Sequence, residues 1–141
     1  MQSLKQIPSW ILSALSGLLL ILIFPQYNLE FVAWFVLIPL LFAIQNQPLG
    51  TVAARGFFAG MIFYFLSLNW VTNTLVNYGN IPTSLSFLIL GLLAAYLSFY
   101  VSLFCVLTVK WSQGKPLYFF LLAPLVWTSL EYLRSTHMTF G

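Results

Sequence analysis

The charges of this chain stand at the margins of long apolar runs, and that placement decides most of what the chain can fold into. Five basic and two acidic side chains are spread over 141 residues, 5% of the sequence, where a water-soluble domain carries about a quarter. The apolar runs cover residues 7–24, 29–44, 53–76, 84–109 and 117–133. Each is close to the roughly 17 to 25 apolar residues that a helix needs to cross a hydrocarbon core of about 30 Å. The expected fold class is all-α: a polytopic integral membrane helical bundle of about five transmembrane helices, forming one domain over residues 1–141.

Lys5 and Trp10 anchor the start of the first run at the interface. Its end, Phe24-Pro25-Gln26-Tyr27-Asn28, lacks a small-residue cleavage pattern, so the run reads as a retained helix rather than a signal peptide. The second run carries Pro39 and leaves a kink or a re-entrant hairpin open. The longest polar gap, residues 45–51, leaves no room for a second domain. Lys5, Arg55, Lys110 and Lys115 fall on one side of the runs, whereas the gaps at 25–28 and 77–83 hold no Lys or Arg. The positive-inside rule then puts the N-terminus in the cytoplasm and Glu30, Glu131 and Arg134 toward the outer face. Arg134 is the basic residue that departs from the bias.

Two polar constellations stand out. Asn69, Asn73 and Asn77 recur every fourth residue and form one stripe of the third helix, with Trp70, Thr72 and Tyr78 beside them. Unpaired amides facing acyl chains cost a few kcal/mol each, so the stripe is expected to point into the bundle or a wet cavity. It serves either as interhelical hydrogen-bonding glue or as the lining of a polar ligand site. Trp127, Glu131 and Arg134 share a face of the last helix, and the two charges can pair at i, i+3. They form either an interfacial ion pair that ends the helix or a holder for an anionic headgroup or a neighbouring domain.

The remaining signals are structural. Gly56-x-x-x-Gly60, with Ala94, Ser98 and Ser102 spaced by four on the fourth helix, permits close helix contact, within the chain in preference to a dimer. Tyr96 and Tyr100 share a helix face and read as core or cavity lining. Cys105, the single cysteine, has no local base and reads as a packing residue. His137, the single histidine, has no second ligand at metal-binding spacing. No glycine-rich phosphate loop and no basic nucleic-acid patch occurs, so neither a cofactor nor a nucleic-acid partner is expected.

Four stretches nevertheless occur in a familiar order. They are Phe24-Pro-Gln-Tyr-Asn28; Gly56-Phe-Phe-Ala-Gly60 leading to Asn69-Trp-Val71 and Tyr78-Gly-Asn-Ile-Pro82; Ala94-Ala-Tyr-Leu-Ser-Phe-Tyr100; and Ala123-Pro124 followed by Trp127, Glu131 and Arg134. In this order the chain resembles the N-terminal transmembrane part of apolipoprotein N-acyltransferase. The resemblance implies a bacterial inner-membrane enzyme that moves an acyl chain from a phospholipid donor to the N-terminal diacylglyceryl-cysteine of an apolipoprotein acceptor. It also implies a ping-pong reaction through a cysteine thioester, with a Glu and a Lys beside it, in a nitrilase-like domain on the periplasmic side. None of those three residues matches a position here, and Cys105 does not match the nucleophile. The chain is therefore expected to be a fragment, a truncated gene product or a split subunit, inactive alone. Its role would be to anchor the nitrilase-like domain, in cis or in trans, and to help form the lateral lipid entrance. Asn69, Trp70, Asn73, Asn77, Tyr78, Trp127, Glu131 and Arg134 are the candidates for lipid contact or domain docking. The alternative is a non-enzymatic five-helix scaffold or small transporter, although a transporter would favour charge near the midplane, which this chain lacks.

Overall fold

The computed structural model describes residues 8–23, 35–112 and 115–138, the side chains at 116, 137 and 138 excepted. Among the described residues the chain is all-helical: α1 (Ser9–Ile21), α2 (Ile38–Ile44), α3 (Leu49–Ser67), α4 (Asn69–Asn77), α5 (Thr83–Ser112) and α6 (Pro116–Leu133), ending in a π-helical turn over Arg134–Met138. The side chain of His137, the single histidine, lies outside the described set.

The bundle exposes large apolar side chains, and it buries small and hydroxyl-bearing ones beside an apolar core that includes Leu40, Ile44, Val52 and Phe104. Ser13, Ser16, Ser86, Ser98 and Thr108 are fully buried, while Phe99 and Leu92 are each 65% exposed and Leu117 69%. Such a surface in water would forfeit most of the chain's hydrophobic stabilisation, whereas small residues at helix contacts and large apolar ones facing out are what a lipid solvent favours. Most of the buried hydroxyls are satisfied locally, whereas Thr72 Oγ1 in α4 is buried without a hydrogen-bond partner among the described residues. Ser98 Oγ donates to the Ala94 carbonyl at 2.6 Å and Thr108 Oγ1 to Phe104 at 2.8 Å, one turn back in each case. Two others tie helices together: Ser16 Oγ donates to the Val36 carbonyl at 2.6 Å, and Ser102 Oγ to the Ala53 carbonyl at 2.9 Å. α3 and α5 are each long and apolar enough to cross a membrane, and α1 is a shorter apolar helix.

α3 and α5 run antiparallel and form the main seam. A Cβ added at Gly56 would lie 2.8 Å from Cys105 Sγ and 3.0 Å from Ser102 Cα, and one added at Gly60 would lie 3.0 Å from Ser98 Cα. The glycines thus set how closely the two backbones approach, and the motif serves packing within the chain. Cys105 is fully buried in this seam. α1 lies on α3 and α6 on α5, the latter through Phe104, whose ring meets Trp127 edge-on at 5.2 Å.

Three expected helices have different limits. The run at 53–76 is two helices, because Leu68 leaves helical geometry (φ −94°, ψ 9°) where the sequence turns to weak helix formers, Asn69 to Thr74. The run at 29–44 is not one continuous helix: residues 35–37 form a turn, α2 starts at Ile38, and Pro39 sits in its first turn, where a missing N–H costs nothing. Residues 29–34 lie outside the described set. The fourth helix is longer than expected, 30 residues, or about 45 Å at about 1.5 Å per residue, which exceeds a hydrocarbon core of about 30 Å.

Replacing Gly60 by Ile should force α3 away from the Ser98 backbone and cost about 1–3 kcal/mol. Unfolding of the two proteins in mixed micelles of increasing denaturing-detergent fraction measures this, and the effect should exceed that of the same exchange at Gly91, whose added Cβ would meet nothing within 4 Å.

Candidate functional site at the Glu131–Arg134 end of the bundle

α6 delivers its polar residues one turn at a time. Pro124 stands within the helix, and Trp127 follows, half-buried against Phe104. The next turn brings Glu131, and the π-helical turn then carries Arg134 back over it. Arg134 Nε donates to Glu131 Oε2 at 3.2 Å and Nη2 donates to Oε1, a two-point pair at i, i+3. Ser135 and Thr136 hydroxyls donate to the Tyr132 carbonyl at 3.0 and 2.7 Å and stabilise the widened turn. The hydrogen bond to Glu131 raises the Arg134 pKa above its ordinary value, so this positive charge is fixed.

Beside the pair a small open cleft lies where α3, α5 and α6 meet, lined by Tyr64, Tyr100, Val101, Phe104, Trp127, Leu130 and Glu131. Tyr100 and Tyr96 hydroxyls are 3.1 Å apart and partner each other. The cleft joins an apolar floor to a rim of phenol and carboxylate, and that carboxylate is paired with the Arg134 guanidinium. Glu131 and its partner Arg134 offer both signs of charge to a polar group at the edge of this small cleft.

The structure brings Trp127, Glu131 and Arg134 together and adds Tyr64, which the sequence reading missed. The signal was present: Tyr64 continues the Gly56, Gly60 face by another four residues. Asn69, Trp70, Asn73, Asn77 and Tyr78 are placed differently. They are all exposed, on or just after α4, which packs on α5 and α3. None of the three amides makes a side-chain hydrogen bond among the described residues. Tyr78 is 86% exposed at the end of α4, and Asn80 turns the chain beyond it with a positive φ of 51°, a conformation that Asn tolerates better than most residues. The two constellations thus occupy separate elements, α4 standing beyond the Tyr64 level by about 7 Å or more along the helix path.

A family profile for the apolipoprotein N-acyltransferase N-terminal domain matches residues 16–141. The chain belongs to that family. Similar proteins named apolipoprotein N-acyltransferase include those of Geobacter metallireducens, 31% identical over 92% of this chain, and Aquifex aeolicus, 33% identical over 90%. That of Pasteurella multocida is 27% identical over 92%. The chain spans about a quarter of the length of these relatives: 25%, 26% and 24% respectively.

The ion pair is half-open to its surroundings, with side-chain exposures of 27% and 46%, and pairs of this type contribute about 0–1 kcal/mol. Glu131→Gln should therefore change the unfolding free energy of the chain in micelles by less than about 1 kcal/mol. A loss several times larger would mean that the pair holds the fold together.

Proposed function

We propose that the chain is the membrane-embedded N-terminal part of an apolipoprotein N-acyltransferase, the enzyme that moves an acyl chain from phospholipid to the N-terminal diacylglyceryl-cysteine of lipoproteins. The family membership over residues 16–141 carries this reading, and the cleft at the Glu131–Arg134 end supports a part in handling lipid. The bundle lies in the bacterial inner membrane as about five spans, with the ends holding Arg55, Lys110 and Lys115 toward the cytoplasm. At the opposite, periplasmic end it anchors the nitrilase-like domain, in cis or in trans.

There the chain's own residues bind and orient. Arg134, oriented by Glu131, holds the phosphate or carboxylate of a lipid headgroup, and Trp127 with Tyr64 and Tyr100 takes the first part of its apolar body. α4 lies at headgroup depth, where its exposed amides are solvated by water and headgroups rather than by acyl chains; this removes the desolvation cost that would otherwise bury them. Asn69, Asn73 and Asn77 with Trp70 and Tyr78 then form a docking rim for the soluble domain or an incoming headgroup. Acyl transfer itself needs a thiolate, a base and an oxyanion-stabilising cation, which the nitrilase-like domain supplies.

Two experiments test this. In a full-length enzyme carrying this segment, Asn73→Leu and Arg134→Leu should each lower acyl transfer to a diacylated lipopeptide by about tenfold or more, the loss of one charge-assisted contact of roughly 1.5–3 kcal/mol, at unchanged yield of folded protein. Unchanged transfer in both variants would remove these residues from the lipid path. The chain alone, incubated with phospholipid, should form no thioester, because Cys105 is fully buried against Gly56; a hydroxylamine-sensitive acyl adduct on Cys105 would contradict the assignment.

A further inference from the structure

At the other end of the bundle Arg55 is buried in a way that the acyl-transfer reading does not use. It stands in the second turn of α3 and is only 8% exposed. Its Nη1 donates to the Ala43 carbonyl in the last turn of α2, and its Cζ lies 5.9 Å from the centroid of the Trp10 ring at the start of α1. Trp10 in turn meets Phe58 edge-on at 5.6 Å. The guanidinium thus sits where three helix ends converge. Its Nε is buried and has no hydrogen-bond partner.

A carbonyl and an indole face supply partial negative charge, not a counter-ion. Among the described residues the one carboxylate is Glu131, engaged by Arg134 at the opposite end of α6; Glu30 lies outside the described set. An uncompensated buried guanidinium costs several kcal/mol. The surroundings indicate where compensation comes from. Lys110 and Lys115 end α5 and precede α6 at the same end of the bundle, with Trp111 54% exposed and Lys115 Nζ 5.4 Å from the Tyr118 ring centroid. Basic residues interleaved with exposed aromatic ones mark the headgroup layer, and the anion abundant at that depth is the lipid phosphate. The planar guanidinium fork matches a phosphate with two hydrogen bonds, which an ammonium cannot reproduce.

We propose that Arg55, framed by Trp10 and the Ala43 carbonyl, is a binding site for the phosphate of an anionic phospholipid in the leaflet at the basic end of the bundle. This site is separate from the Glu131–Arg134 end and independent of the acyl-transfer reading. The bound phosphate neutralises the buried charge and ties α1, α2 and α3 to the leaflet at fixed depth.

The test is native mass spectrometry of the full chain released from non-ionic micelles and titrated with phosphatidylglycerol, phosphatidylcholine or inorganic phosphate. The first phosphatidylglycerol should bind in preference to phosphatidylcholine. Arg55→Gln should weaken that first binding by about tenfold or more, and Arg55→Lys should restore it only in part. The pair Lys110→Gln and Lys115→Gln should spare the first lipid and weaken later ones. If selectivity falls with the lysines and not with Arg55, general surface attraction explains it and the site is refuted. Equal occupancy by inorganic phosphate would assign the site to a free anion instead and refute the lipid. Should Arg55→Gln fail to fold, the Trp10 contribution to fluorescence, taken as wild type minus Trp10→Phe, decides the matter. Brominated phosphatidylglycerol must quench it more strongly than brominated phosphatidylcholine; equal quenching overturns the proposal.

Discussion

The contact of α3 with α5 through Gly56 and Gly60 is the constraint on which the rest of the molecule depends. In lipid there is no hydrophobic force to draw helices together, because acyl chains are as apolar as leucine. Close backbone approach, with the dispersion and hydrogen bonds that it permits, has to do that work. The two glycines allow it, and Ser102 adds a bond to the Ala53 carbonyl at 2.9 Å across the seam. The seam fixes the level of Tyr64 relative to Tyr100, and α6 then completes the cleft by packing Trp127 on Phe104. The same helix α3 carries Arg55 to its contact with Trp10 and Ala43. One helix pair therefore positions both polar ends of the bundle.

The two ends differ in how they handle charge. At one, Arg134 is matched by Glu131 from the same helix, an arrangement that is inexpensive and leaves both groups partly open to a ligand. At the other, Arg55 is buried with a carbonyl and an aromatic ring as its neighbours. The first is suited to transient contact with a passing polar group, and the second to a permanently held one. Between them the wall of exposed Leu and Phe has no polar requirement beyond matching the hydrocarbon. α5 is the exception in length: its 30 residues make it the longest helix among the described residues, its first turns expose Leu85, Phe87, Leu88 and Leu92, and α4 packs beside it.

Much of this was legible in the sequence because it follows from residue type and spacing. The all-helical class came from uninterrupted apolar runs, the family from motifs in order, the Glu131–Arg134 pair from an i, i+3 spacing, and the packing role of Gly56 and Gly60 from their separation by four. The break at Leu68 was not legible, because neither Pro nor Gly marks it; only a change toward Asn and Thr signals that the helix no longer holds one direction. That break moves the asparagine stripe from the third helix onto α4 and exposes it, so the expectation that desolvation turns the amides into the bundle does not hold. Pro39 was visible, but its place in the first turn of α2, rather than in mid-helix, depends on where the preceding turn ends. Arg55 reads in the sequence as a flank of a span; its burial arises from the convergence of α1, α2 and α3, which no local pattern encodes.

We propose that the bundle crosses the membrane with its basic end in the cytoplasm and with α4 and the Glu131–Arg134 pair outside. Single cysteines at Gln47 and Asn80, each in a Cys105→Ala background, exposed to a membrane-impermeant maleimide in right-side-out vesicles, test it directly. Position 80 should label at once and position 47 only after the vesicles are opened. Labelling of 47 in sealed vesicles, with 80 silent until they are opened, would invert the bundle and place the proposed lipid-handling end on the wrong side of the membrane.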